Sequence, residues 1–210
     1  MTLPVFPADL GIEQVGDFHL LHATEAFPSA LTRAERLRAD LTPRWTVELE
    51  LAEMLEPEWR RWTAFVYALA GASGLFHYSP THALRPQLGL PGGAPVVAGA
   101  GQTGRTLATG GWPAGQTVLK AGDLFHFDTD KGRELKALTE DAVSDGAGAA
   151  TLAFAPPIRR APADGAALIL DAPSCAMRAV DDAQGALSIR KGQRVGRARF
   201  RIVESFVSAG

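Results

Sequence analysis

Cysteine is almost absent from this chain. One thiol, Cys175, in 210 residues excludes an intramolecular disulfide framework and a cysteine-rich zinc site. Long apolar runs are missing as well, since no stretch approaches the roughly 20 residues that a bilayer-spanning helix needs. The opening MTLPVFPADLGIEQ lacks the basic leader and extended apolar core of a secretory signal, so a protein made in a cytoplasm and kept soluble is expected. Charge of one sign is lacking too. Twenty-one Lys and Arg against 23 Asp and Glu leave a net charge of −2, which exerts no global pull toward nucleic acid or a membrane. There is no HExxH, no GxSxG elbow and no repeat at a solenoid period.

What is present is turn-rich globular sequence. The chain is 46% hydrophobic and 21% charged, and its 22 Gly and 14 Pro are more than a helix bundle tolerates. Its length holds one large or two small domains. In Arg44-Trp45-Thr46-Val47-Glu48-Leu49-Glu50-Leu51 the apolar residues fall on every second position, the pattern of a half-buried strand. Arg33 to Leu41 reads as a preceding strand, with Thr42-Pro43 as the break. A helix follows, opened by Pro57 between Glu56 and Glu58. Trp59, Trp62, Phe65/Val66 and Leu69 lie on one side of it, Arg60 and Arg61 on the wet side, and Gly71 is expected to stop it. Gly74 to Tyr78 resumes a strand, and another is expected near Pro95–Ala98. From Gly111 to Ala167 short apolar runs (Val118-Leu119, Leu124 to Phe127, Ala150 to Phe154) alternate with Gly- and Asp-bearing turns, the grammar of a small β-barrel or sandwich.

Several segments imitate functional motifs. Gly99-Ala100-Gly101-Gln102-Thr103-Gly104-Arg105-Thr106 matches GxGxxG and nearly a P-loop, with Ala167 to Asp171 as a would-be magnesium strand. Phosphate binding needs a helix to start within such a loop, and Gly110-Gly111-Trp112-Pro113 follows instead, so a plain glycine-rich loop is expected. Asp128 to Glu134 hints at a calcium loop, but its glycine is one position early and a carboxylate is missing, so a hairpin turn is expected. Among the five histidines, His19 and His22 stand three apart and read as a surface turn; His77, His82 and His126 form no paired set. Cys175 reads as a buried thiol, because no base is placed beside it.

The C-terminal Arg197-Ala198-Arg199-Phe200-Arg201-Ile202-Val203 alternates again. Ala198, Phe200 and Ile202 face one way, and Arg197, Arg199 and Arg201 the other. Three like charges on one strand face repel unless paired. Glu48 and Glu50 of the earlier strand offer that pairing within the chain, and a neighbouring subunit offers it between chains. A paired interface built on Arg197, Arg199, Arg201, Glu48 and Glu50 is therefore favoured over a nucleic-acid groove, which would also need interleaved aromatics.

From about residue 44 onward the order and spacing of these motifs resemble a known family, the distal tail proteins of long, flexible, non-contractile phage (or prophage) tails. The resemblance is carried by Arg44-Trp45, Phe65-x-x-x-Leu69-x-Gly71, Gly74-x-Phe76, Gly111-Trp112-Pro113 and Leu119-x-Ala121-Gly122-Asp123-x-Phe125. Val143-x-Asp145-Gly146-x-Gly148-x-Ala150-Thr151-Leu152, Pro156-Pro157-x-Arg159 and Pro162-Ala163-Asp164-Gly165 complete it. It implies a mainly β (α+β) fold: a tail-tube-like β-sandwich with one helix over 1–80 with 185–210, and an inserted β-barrel-like domain over 81–184. It also implies a structural virion protein at the tail tip, made in the bacterial host cytoplasm. Its copies would form a ring, expected as a hexamer, joining the tail-tube protein to the tip hub and receptor-binding proteins, with no catalysis, cofactor, metal, membrane or nucleic acid. The alternatives are the tip hub or another minor tail protein, or a carbohydrate-binding β module presenting Trp112. A cell-wall hydrolase would need a carboxylate pair among Asp123, Asp128, Asp141 and Asp145.

Overall fold

The computed structural model describes residues 3–10, 12–38, 42–183, 185 and 198–206. A first block runs β1 (Ile12–Leu21), β2 (Glu25–Pro28), β3 (Glu35–Arg38), β4 (Arg44–Leu51), α1 (Glu56–Leu69) and β5 (Phe76–Tyr78). A second block follows with β6 (Val96–Val97), β7 (Gly104–Gly110), β8 (Thr117–Leu119), β9 (Leu124–Thr129), β10 (Gly132–Leu138), β11 (Ala142–Val143), β12 (Ala150–Ile158) and β13 (Leu168–Ile169). β14 (Cys175–Ala179) and β15 (Ala198–Glu204) close the described chain. The protein is mainly β, with one α-helix among the described residues, as its turn-rich composition and two alternating segments predict.

Five strands form one antiparallel sheet in the order β1-β4-β15-β14-β5. β15 lies along β4, with Phe200 opposite Leu49 and Ile202 opposite Val47. That register puts the apolar positions of both strands on the same face, where Trp45, Val47, Leu49, Leu51, Phe200 and Ile202 are buried. α1 covers this face. Its Trp62 is fully buried and donates from Nε1 to the Gly185 carbonyl at 2.9 Å. The N-terminal segment adds Phe6, which meets Trp62, Phe65 and Tyr78 edge-on. Phe6 N–H donates to His77 O and His77 N–H to Pro4 O, so this segment also shields the β5 edge.

β13, β9, β10, β12, β7 and β6 form the second sheet, and its two ends nearly meet. Val97 N donates to Ala166 O, and Leu168 N to Pro95 O, so the sheet curls into a nearly closed barrel. Phe125, Phe127, Leu107, Leu152 and Phe154 fill it, each with almost no exposure. The expected turns are in place. Gly148 takes φ +75°, and a Cβ there would stand 2.3 Å from the Trp112 carbonyl oxygen. Only glycine fits so close an approach.

Four details depart from the sequence reading. α1 stops one residue before Gly71, at Ala70, which itself adopts the left-handed conformation with φ 51°. The strand expected over Arg33–Leu41 is β3, only Glu35–Arg38, and residues 39–41 lie outside the described ones. His19 sits on β1 opposite Thr46 rather than in a turn. β14 lies inside the 81–184 segment that the sequence reading set apart, yet it pairs with β5 and β15 in the five-stranded sheet. The chain therefore leaves that sheet after β5 and rejoins it at β14, because a five-residue alternating strand carries no mark of the sheet it joins.

Candidate functional site

The charged strand face is a ladder of opposite charges. Arg199 stands directly opposite Glu50 and Arg201 opposite Glu48. Arg199 Nη2 lies 2.9 Å from Glu50 Oε1, and Arg201 Nε lies 3.9 Å from Glu48 Oε2. Arg197, the third member of the stripe, lies outside the described residues. The pairing available within the chain is thus made by Arg199 and Arg201, and like-charge repulsion no longer demands a partner. Both guanidiniums remain largely exposed, so solvent screens these pairs. Arg199→Ala is expected to lower stability by less than about 1 kcal/mol. A urea midpoint that reports a loss above about 2 kcal/mol would show the ladder to be structural.

A second charged group, which the sequence reading missed, is buried between the two sheets. Arg159, just past β12, makes a two-pronged contact with Glu204 of β15, Nη1 to Oε1 at 3.0 Å and Nη2 to Oε2 at 2.8 Å. Arg159 Nη2 also donates to Pro43 O, and Trp45 N–H donates to Glu204 Oε2. Beside them, Lys136 Nζ donates to Glu134 Oε2 at 2.7 Å and to Pro157 O at 2.9 Å. Glu134 accepts the backbone N–H groups of Arg159 and Arg160. Burial pushes the Lys136 ammonium down from its ordinary value and the Glu204 carboxyl up, while Glu134 and Arg159 pull each back. The Phe206 ring closes the junction, with the Arg159 guanidinium carbon 3.9 Å from its centroid. Trp45 Nε1 donates to Leu135 O, a further tie between the two sheets.

A third cluster lies where the chain crosses from the barrel to β14. His126 Nδ1 accepts the Ser174 N–H at 3.1 Å, and Arg133 Nη1 donates to Ser174 Oγ at 2.8 Å. Burial above all, then Arg133, lowers the His126 pKa to about 4, with Asp128 pulling upward and His77 adding to the fall. His77 is lowered by burial and Arg133 as well. An imidazole held neutral with its acceptor nitrogen occupied works here as a structural hydrogen-bonding group.

The imitated motifs resolve as structure. In the glycine-rich loop Gly99 N–H donates to Asp164, Gln102 fastens Ala98 and Ala108, and Gly104 opens a strand rather than a helix. Asp128 to Glu134 is the β9–β10 hairpin, with Thr129 paired to Gly132. Asp123 accepts the N–H groups of Gln87 and Lys120, and Asp145 those of Ala147 and Ala149. Asp141 binds Lys120 and the Ala121 N–H. These backbone and lysine donors hold the Asp141 and Asp145 carboxyls below the usual carboxylate range. Cys175 is fully buried, and burial pushes its thiol up. Trp112, expected in an exposed turn, is buried, and its Nε1 donates to Thr109 Oγ1, so the carbohydrate reading loses its platform. Among the described residues no three His, Cys, Asp or Glu side chains gather as a metal site, and no helix is long and apolar enough to cross a membrane.

β3, expected as a strand, and β2, which the sequence reading missed, pair only with each other among the described residues, Glu25 opposite Arg38 and Phe27 opposite Arg36. Apolar residues interspersed with Arg33, Arg36 and Arg38 around the Pro28-Ser29 turn were the available signal. Compared with known proteins, the chain matches no protein-family model and no curated protein.

Proposed function

We propose that this chain is a structural subunit of a phage tail tip, a distal tail protein whose copies close into a ring, six in the expected form. The ring joins the tube of a long non-contractile tail to the tip hub and receptor-binding proteins, and the protein resides in the virion after synthesis in the bacterial cytoplasm. The observation that carries this reading is the course of the chain. Its C-terminal strand is threaded into the middle of a helix-covered antiparallel sheet, and a barrel is spliced between β5 and β14. Support also comes from how the charged groups are used. The pairs Arg159–Glu204 and His126–Ser174 tie the barrel to the strands of the other sheet, as a load-transmitting scaffold requires. The exposed ladder of Glu48, Glu50, Arg199 and Arg201 suits a charged face toward a lumen or a subunit seam. Light scattering of the purified protein is expected to give six chain masses, and electron micrographs six-fold rings. A three-fold assembly would point to the hub, and a persistent monomer that binds glycans to a carbohydrate module.

A further inference from the structure

The chain leaves the five-stranded sheet after Leu21 and re-enters it at Arg44, two residues that face each other across β1 and β4. Within this excursion β2 and β3 form a two-stranded arm whose every residue is exposed. Leu31 at its tip is 96% exposed, and Phe27 and Leu37 are more than half exposed. A lone two-stranded hairpin is marginal in water, and apolar side chains displayed on one are unsatisfied until something covers them. The arm is also basic on balance, with Arg33, Arg36 and Arg38 against Glu25 and Glu35, of which Glu25 is engaged by Arg38 at 3.6 Å.

The complementary shape is present in the same chain. A cavity of about 740 Å³ lies between Val66 and Tyr67 of α1 and Ala179 and Phe200 of the sheet, with Asp181 and Asp182, whose Oδ1 atoms accept the Ala183 and Ala72 N–H groups, in its wall. Its size falls within the roughly 300–1,000 Å³ that buries a drug-sized ligand, enough for an inserted pair of apolar side chains. No residue of the arm lines this cavity in its own chain. The root of the arm is at the Arg44 end of β4, whereas the cavity lies level with Leu49, the partner of Phe200, about 17 Å along the strand.

We propose that the β2–β3 arm of one copy seats in the α1–β14–β15 cavity of a second copy. Phe27 and Leu31 enter the apolar part, and Arg33 and Arg36 face the side that bears Asp181 and Asp182. Charge complementarity favours this occupant, and every copy carries both halves of the contact. Because the arm and the cavity are different surfaces, copies can join head-to-tail, the type of contact that closes into rings or runs on as filaments. The proposal deepens the ring reading above and rests on it for closure.

The test uses the full chain. Phe27→Asp with Leu31→Asp, both exposed and so tolerated by the fold, is expected to convert the assembly to monomer in light scattering. In a second experiment, chains carrying Leu31→Cys are mixed with chains carrying Tyr67→Cys and oxidised. A mixed disulfide is expected at least tenfold above either self-linked product, with buried Cys175 not competing. Rings that ignore the aspartates and give no mixed disulfide would overturn the arm contact and leave the ring reading standing. Arm-dependent open chains with the mixed disulfide would keep the contact and sink the ring. A monomer without the mixed disulfide, or an arm that binds anionic lipid vesicles but not a second copy, overturns the contact.

Discussion

Arg159→Met should destabilise the protein by about 3–5 kcal/mol, the cost of leaving a buried carboxylate without its cation. Glu204 is 1% exposed, and Arg159 supplies two of the three hydrogen bonds that its oxygens accept. The remaining donor, the Trp45 N–H, carries no charge, and Lys136 is already engaged by Glu134 and Pro157. The guanidinium also ties β15 to the barrel and to the Pro43 carbonyl, so its loss loosens the junction as well as unpairing it. Adding Glu204→Gln removes the stranded charge while keeping an acceptor for Trp45 N–H. The double variant should therefore recover most of the loss, and the cycle of single and double variants measures the coupling. pH gives a second readout. Without Arg159 the folded-state pKa of Glu204 rises further above its unfolded value, so the folded form binds a proton that the unfolded form does not. The deficit of Arg159→Met should then shrink as pH falls from 7 toward 5. Denaturant midpoints measured across that range check both statements. A single-variant loss below about 1 kcal/mol would mean that water already reaches the pair.

Local patterns in the sequence foretold those parts of the fold that local patterns determine. β4 and β15 alternate cleanly, so their buried faces and mutual register follow from Trp45, Val47, Leu49, Phe200 and Ile202. α1 declares itself through Pro57 and the three- and four-residue spacing of its apolar side chains. β1 was invisible because register shifts between Ile12 and Gln14, and between Val15 and Phe18, break the period-2 pattern by which a strand is recognised. β2 was invisible for the opposite reason, and β3 was legible as a strand but not as half of an arm, since neither face of the hairpin is buried and no hydrophobic period develops. Glu134 and Lys136 are charged side chains on β10, yet both are buried, because their partners at Pro157 and Arg159 come from more than 20 residues further along the chain. The ladder of Glu48, Glu50, Arg199 and Arg201 was legible as a pairing because its members sit on two recognisable strands. The Arg159–Glu204 junction needed the three-dimensional meeting of two segments 45 residues apart, which no spacing rule announces.

Acid should weaken the fold between pH 6.5 and about 4, and His126 should account for about 3 kcal/mol of the loss. Its ring is 3% exposed, and the Ser174 N–H already fills Nδ1. Arg133, held at Ser174 Oγ and 3.4 Å from Asp128, repels a second positive charge there, and His77 adds to that repulsion. Asp128 alone among the neighbours favours protonation, and it does not offset burial. Above pH 6.5 the ring is neutral in both folded and unfolded chains, and the full stability is present. Below it the unfolded chain takes up the proton first, so stability falls until the folded ring also protonates near pH 4. His126→Asn keeps an acceptor close to the Nδ1 position but does not titrate, so its stability should fall far less across this window. His77, which burial and Arg133 lower in the same direction, adds to the remaining slope. Urea midpoints at pH 7.5, 6, 5 and 4 for wild type and variant give the difference directly, and identical slopes would remove His126 as the cause. The position of the bond also says where acid acts first. Ser174 begins the return of the chain from barrel to sheet, immediately before Cys175 pairs with Tyr78. Hydrogen exchange at the Ser174 amide should therefore accelerate on acidification before exchange at the Leu107 and Leu152 amides inside the barrel.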